Sequence, residues 1–223
     1  MCGKSKMITL VQIRSCLEKD DNFISMTSAD VDLICKDIQT DSRKVGQNSL
    51  FVCIRGYEYD GHDFAASVVA SGASILIVEQ YQDIDAIQIL VKSSRKAAAV
   101  LISLHLGNPA ARLKLIGITG TNGKTSICQI GEQLFRKLGV KTGTIGTLGY
   151  SINGVNFPTE RTTPDIIDLH KIFARMADAG IEYVLMEVSS HSIYLDRIHG
   201  LEFKIAVFTN LTQDHLDFHH TLE

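Results

Sequence analysis

The stretch Leu115-Ile-Gly-Ile-Thr-Gly-Thr-Asn-Gly-Lys-Thr-Ser126 limits what this chain can fold into more than any other. It reads as a short apolar strand, a glycine-bearing turn, and a helix opened by Lys124. Gly117, Gly120 and Gly123 let the backbone take positive φ and approach a ligand closely. Successive N–H groups and a helix N-terminus then face an anion. Lys124 adds a mobile positive charge, and the Thr125 hydroxyl is placed to reach a phosphate-bound Mg²⁺. The strict phosphate-loop string has a glycine five residues before the one that precedes the lysine. Here that position is Ile118, so the match is to a variant. A corner with glycines serving only packing would leave the Gly-Lys-Thr triplet unexplained. The segment implies a nucleoside triphosphate site.

Length and charge narrow the setting. The 223 residues suffice for one large domain or two modest ones, and 45% of them are apolar. A net charge of −3 gives neither a nucleic-acid footprint nor a basic membrane-binding face. The five cysteines are scattered, without a C-x-x-C pair. No apolar leader or bilayer-length run is present, so a soluble, cytoplasmic protein with reduced thiols is expected, and a monomer is expected as well.

The chain divides best at Gly107-Asn-Pro109. Residues 1–107 are expected to form a small N-terminal α/β domain. Its helices fall near 8–17, 63–71 and 97–106, and its buried strands near 31–40, 50–54, 75–78 and 87–90. Residues 108–223 form the second domain. Strand 113–118 leads through the glycine loop to helix 124–138, and strand 140–145 precedes a hairpin around Asn153-Gly154. Thr163-Pro-Asp165 is expected to open a helix, with Thr163 as its cap and apolar positions 166, 167, 169, 172, 173 and 176 on one face. Strands 183–186 and 205–208 follow. Alternating strands and helices predict an α/β fold with a P-loop-type, mostly parallel, helix-flanked sheet. Ligands bind at the C-terminal strand edge of such sheets, so Glu187-Val-Ser-Ser-His191 and the polar run from Thr209 to His215 should converge on the glycine loop.

Glu187 directly follows a buried strand, where a carboxylate can hold Mg²⁺ beside a triphosphate. The alternative for it is a solvated strand-end acid. Asp214-His-Leu-Asp-Phe-His-His220 is rich in metal-ligand types but fits no structural zinc spacing, so one imidazole near the triphosphate is the better reading. Gly143-x-x-Gly-x-x-Gly149 is not the dinucleotide fingerprint. Ser189 and His191 lack the nucleophile elbow of a Ser–His hydrolase. A GTPase switch would need a guanine-reading Asn-Lys-x-Asp, which the chain lacks.

Gly120-Thr-Asn-Gly-Lys-Thr125, Thr162-Thr-Pro164, Glu187-Val-Ser-Ser-His191, Arg197 and Thr209-Asn-Leu-x-x-Asp-His-Leu-Asp-x-His219 occur in this order, behind Asp41-Ser-Arg43 and Leu50-Phe-Val. Together they resemble the Mur ligase family over nearly the whole chain. The resemblance implies an ATP-dependent amide ligase of peptidoglycan precursor synthesis, with UDP-N-acetylmuramoyl-dipeptide and a diamino acid as partners and ATP and Mg²⁺ as cofactors. Members have an N-terminal domain gripping UDP, a central ATPase and a C-terminal domain delivering the amino acid. The last of these, with a carbamate-modified lysine that helps hold the second magnesium, is expected to lie beyond residue 223.

By similarity Ser42 contacts the uridine diphosphate, and the loop from Tyr57 to Tyr59 lines that site. Thr162, Thr163, Ser189 and Arg197 hold the muramoyl-peptide end. Gly120, Thr121, Asn122, Gly123, Lys124, Thr125 and Ser126 bind ATP. Lys124, Glu187 and His215 are the catalytic set, with Thr125, Glu187 and His215 on magnesium. From the residues alone, the alternative for Arg197 is a surface ion pair. Ser126 replaces a threonine common in the family, and Leu195 stands where a polar contact is usual. Without its third domain the chain is expected to bind substrate and not complete turnover. The alternative is a non-catalytic nucleotide or nucleotide-sugar binding module derived from the ligase fold. Folylpolyglutamate synthase shares the central domain but lacks an N-terminal uridine-binding domain of this kind.

Overall fold

The computed structural model describes residues 6–28, 33–56 and 59–212. The chain splits into two compact units. The first is Met1–Pro109 with Ile166–Lys171 and Asp196–Gly200, and the second is Ala110–Asp165, Ile172–Leu195 and Leu201–Glu223.

In the first unit, in chain order, lie β1 (Ile8–Thr9), α1 (Leu10–Lys19), β2 (Phe23–Met26), β3 (Ile34–Cys35), β4 (Asp37–Gln39), β5 (Ser49–Val52), α2 (Ala65–Ala70), β6 (Ala73–Val78), β7 (Ile87–Val91) and α3 (Ser94–His105). Among the described residues one sheet has the order β2-β7-β6-β5-β4. Its last four strands run parallel, and β2 is antiparallel to β7. Thr9 caps α1 in a reciprocal box with Gln12, so the helix starts two residues later than apolar spacing alone suggests. Ser93 caps α3 by accepting from the Lys96 N–H. Leu50, Val52, Ile75, Ile77 and Ile89 on one sheet face pack with Ile13, Leu17, Leu101 and Ile102 of α1 and α3. Ile166 and Ile167 join that core.

The second unit holds β8 (Lys114–Thr119), α4 (Lys124–Lys137), β9 (Thr142–Gly146), β10 (Gly149–Ile152), β11 (Val155–Phe157), β12 (Tyr183–Glu187), α6 (Ser190–Tyr194) and β13 (Phe203–Phe208). Helix α5 (Ile166–Asp178) begins in the first unit and ends in the second. The sheet order is β11-β10-β9-β12-β8-β13, with β9, β12, β8 and β13 parallel. The expected mixed α/β fold with a parallel-dominated sheet is therefore observed. Tight hairpin β10–β11 turns at Asn153 (φ +50°) and Gly154 (φ +83°), as the Asn-Gly pair predicts.

One local expectation fails. Helix α5 starts at Ile166 with Asp165 as its N-cap, not at Thr163. The Thr163 hydroxyl donates instead to the Glu187 backbone oxygen at 2.9 Å, which takes it out of the capping role. The anticipated apolar face, Ile166, Ile167, Leu169, Ile172, Phe173 and Met176, is buried.

Among the described residues no helix is long and apolar enough to cross a membrane. Cys35, Cys53 and Cys128 are buried thiols. Burial is the main cause that pushes them up, to about 11, 12 and 12. They carry no thiolate near neutral pH and are poor nucleophiles.

Candidate active site

The site in the second unit grows from strand order. β8 is flanked by β12 and β13, so the segments leaving all three strands emerge along one sheet edge. From β8 the chain enters the glycine loop with Gly120 at φ +127° and Gly123 at φ +87°. Gly123 is the left-handed N-cap of α4, and a Cβ built there would meet nothing within 4 Å. Among the described residues, the side of the turn on which a Gly123 Cβ would stand is open. Lys124 folds back over the loop, donating from Nζ to Gly120 O at 2.6 Å and Thr121 O at 2.9 Å. Its charge is held by two carbonyl dipoles inside the loop, within reach of an anion seated there.

Glu187 is the last residue of β12 and pairs with Ile118 of β8, which brings its carboxylate to the loop although only 1% of it is exposed. Thr125 Oγ1 donates to Glu187 Oε2 at 2.9 Å. Thr147, in the β9–β10 turn, gives its N–H to Oε1 at 3.0 Å and its hydroxyl to Oε2 at 3.2 Å. A buried carboxylate needs such donors to offset its lost hydration. Thr125 and Glu187 together offer hard oxygen donors of the kind Mg²⁺ takes. Among the described residues no cluster of three or more His, Cys, Asp and Glu side chains that could hold a metal ion is assembled. His215 and the rest of the Asp214–His220 run lie outside the described residues.

The segment after β13 braces the loop from the other side. Thr209 Oγ1 donates to Asn122 O at 2.7 Å. Asn210 pairs with Asn122 twice, accepting its N–H at Oδ1 and donating from Nδ2 to its carbonyl, both at 3.1 Å. Thr121 N–H donates to Asn210 O at 2.9 Å, and the Thr212 N–H donates to Thr121 Oγ1, also at 2.9 Å. Glu187 from one run and Thr209, Asn210 and Thr212 from the other thus meet the loop, while Ser189 bonds to Thr163 and residues 213–215 lie outside the described residues.

Other anticipated residues fall into two groups. Thr162, Thr163 and Ser189 stand around Glu187 in the second unit. Thr162 Oγ1 lies 3.1 Å from Thr147 Oγ1, and the Ser189 N–H donates to Thr163 Oγ1 at 3.3 Å. Ser189 also caps α6, its hydroxyl accepting from the Ser192 N–H at 3.2 Å. Arg197 and Ser42 belong to the first unit. Ser42 opens a short 3-10 turn after β4. Asp41 caps that turn and grips Arg43 through two side-chain bonds of 2.9 and 2.8 Å. The Arg43 hydrogen bond holds the Asp41 carboxyl down at about 2. Tyr59 is 70% exposed on the same strand edge, while Tyr57 lies outside the described residues. Thr147 is the functional candidate that the motifs miss. Its only sequence signal is a hydroxyl residue just past a buried strand, inside the Gly143–Gly149 spacing that is not a dinucleotide fingerprint.

Known proteins resemble the chain in sequence and in fold. The Mur ligase middle domain matches residues 118–223, and the Mur ligase family catalytic domain matches 35–109. The UDP-N-acetylmuramoyl-L-alanyl-D-glutamate–2,6-diaminopimelate ligase of Geobacillus kaustophilus is 48% identical over 186 residues, 83% of this chain and 38% of that protein. Its Clostridium tetani namesake is 43% identical over 220 residues, 96% of this chain and 44% of that one. The chain thus spans about two fifths of the length of these relatives. A solved UDP-N-acetylmuramoyl-L-alanyl-D-glutamate–2,6-diaminopimelate ligase superposes with a TM-score of 0.78 at 24% identity, covering 97% of this chain and 43% of that one. MurF from Acinetobacter baumannii superposes at 0.62 with 22% identity, covering 98% and 44%. MurF from Thermotoga maritima in complex with ADP superposes at 0.53 with 24% identity, covering 83% and 40%. At those identities the structures speak to fold, and the sequence matches carry the assignment: the chain belongs to the Mur ligase family.

Proposed function

We propose that the chain supplies the ATP and nucleotide-sugar sites of an ATP-dependent amide ligase of peptidoglycan precursor synthesis. The reaction adds a diamino acid to UDP-N-acetylmuramoyl-L-alanyl-D-glutamate. The relatives' names supply the substrate class and point to 2,6-diaminopimelate as the amino acid. The observation that carries the reading is the open N-cap of α4 at Gly123, with Lys124 beside it and Thr125 hydrogen-bonded to the buried Glu187. In it, residues 120–126 hold the ATP phosphates through backbone N–H groups, and the Lys124 amine exchanges its two carbonyls for phosphate oxygens.

The γ-phosphoryl group passes to a free carboxylate of the dipeptide, giving an acyl phosphate and ADP. The amine of the incoming amino acid then attacks the acyl carbon, and phosphate leaves from a tetrahedral intermediate. Two anions must meet in the first step, and Lys124 lowers their repulsion. Bound Mg²⁺, on Thr125, Glu187 and His215, would supply further charge neutralisation. Thr162, Thr163 and Ser189 orient the peptide end, Arg197 grips a carboxylate by a forked bond, and Ser42 with Tyr59 contacts the uridine diphosphate.

Titration calorimetry of the chain with UDP-N-acetylmuramoyl-L-alanyl-D-glutamate and with ATP–Mg²⁺, run beside a phosphate-release assay, tests this reading. Saturable binding of both ligands supports it. A folded chain that binds neither ends it, and phosphate release on adding the dipeptide separates a ligase half-reaction from a binding module. Lys124→Ala is expected to weaken ATP about 10- to 100-fold, since it removes charge-assisted bonds to phosphate. Unchanged ATP affinity in that variant would remove Lys124 from the site.

A further inference from the structure

The β9–β10 turn is built around Glu187. β9 and β12 run parallel with Ile145 paired to Met186, which sets Gly146 beside Glu187 one step further along. A Cβ at Gly146 would stand 2.1 Å from Glu187 Oε1, so with the carboxylate in this position the turn reaches it because residue 146 has no side chain. Thr147 then meets both carboxylate oxygens, its N–H on Oε1 and its hydroxyl on Oε2, at 3.0 and 3.2 Å. The same hydroxyl lies 3.1 Å from Thr162 Oγ1. A threonine hydroxyl carries one proton and a carboxylate accepts, so the Thr147 proton points to Glu187 and Thr162 must donate into Thr147. Donation therefore runs from Thr162 to Thr147 to Glu187.

We propose that Thr147 is a positioning residue for Glu187, fixing both carboxylate oxygens and tying them through one hydroxyl to Thr162. The inference rests on the reading of Lys124, Thr125 and Glu187 as an ATP–metal centre. In that centre the Thr125 hydroxyl would serve the metal rather than Glu187. Among the described residues Thr147 would then be the group that still holds the carboxylate, and its link to Thr162 makes the carboxylate's orientation depend on the residue expected to meet the peptide. Groups that orient a metal ligand from behind are worth about 10- to 100-fold in metal affinity in other sites.

The test uses the whole chain with Thr147→Val, which keeps the backbone N–H and the shape, and Thr147→Ser, which keeps the hydroxyl. ATP is titrated with Mg²⁺ and, separately, with EDTA, and ligand-free melting is recorded. We expect Thr147→Val to lose about tenfold of the affinity that Mg²⁺ adds, while binding in EDTA stays with the parent and the melting temperature falls only by what one lost hydrogen bond costs. Thr147→Ser is expected to restore the Mg²⁺ gain to within about twofold of the parent. A Thr147→Val protein with the parent's full Mg²⁺ gain overturns the proposal. So does one that loses EDTA and Mg²⁺ binding equally, because that marks a purely structural role. A parent that binds no ATP at all brings down the ATP-site reading itself, and this proposal with it.

Discussion

Gly120→Ala is expected to abolish ATP binding and to destabilise the second unit by about 3–5 kcal/mol. Gly120 has φ +127°, where an L-residue is strained by about 1–3 kcal/mol. Space is the larger problem. An added Cβ would lie 2.1 Å from Thr209 Oγ1, 2.8 Å from Asn210 O and 3.0 Å from Asn210 N. The first of these contacts can be relieved by turning a side chain, but the other two are to backbone. The segment after β13 must therefore move off the loop, breaking the Thr121–Asn210 bond and the double Asn122–Asn210 pairing. Each such bond contributes about 0.5–1.5 kcal/mol, and the loop tip they hold is the part that faces the phosphates.

Gly123→Ala is the matched control. It too has positive φ, at +87°, but open space around the new Cβ, so its cost to folding should stop at the backbone strain of about 1–2 kcal/mol. Urea melts and ATP titrations of both variants decide the matter. A Gly120→Ala protein with the parent's urea midpoint and ATP affinity would show that the loop does not depend on this bracing.

What the sequence disclosed, and what it hid, follows from where each signal resides. The glycine loop, the strands around it and the buried face of α5 were legible because each is written in consecutive or periodic residues. Strand β2 was not. It is an edge strand with no fully buried residue and no clean alternation, and its place is set by pairing with β7. The start of α5 was misplaced because Thr163-Pro-Asp165 satisfies the local rules for a cap at Thr163. A tertiary acceptor, the Glu187 carbonyl, takes that hydroxyl instead. Thr147 was invisible for a related reason. Its value comes from the β9–β12 register and from the missing Cβ of Gly146, and neither shows in a single chain of letters. The convergence of Thr209 and Asn210 on the loop was readable, because it needs only the rule that strand ends in a parallel sheet share one edge.

Acidification from pH 7 toward 4 is expected to weaken the first unit, with His170 contributing up to about 3 kcal/mol of the loss. His170 is 1% exposed, and burial pushes its imidazole from 6.5 down to about 4. The unfolded chain takes up this proton below pH 6.5, whereas the folded one resists until about 4. The stabilising contribution is therefore complete above pH 6.5 and lost as pH falls through that window. His105, 4% exposed, is pushed down for the same reason and adds in the same direction.

Carboxylates act in a different range. Arg43 holds Asp41 at about 2. Burial pushes Asp60 up, but hydrogen bonds from His62 and Arg55 outweigh it and leave that carboxyl at about 2 as well. Their stabilisation persists until pH drops below about 4, the ordinary carboxylate value. Between pH 6.5 and 4 the slope thus belongs mainly to buried histidine. His170→Leu should flatten most of it without touching the steeper fall below pH 4. Urea midpoints of parent and variant across pH 4 to 7.5 give the slope directly. An unchanged slope in His170→Leu would mean that the imidazole takes up its proton as readily in the folded protein as in the unfolded chain, and would overturn the prediction.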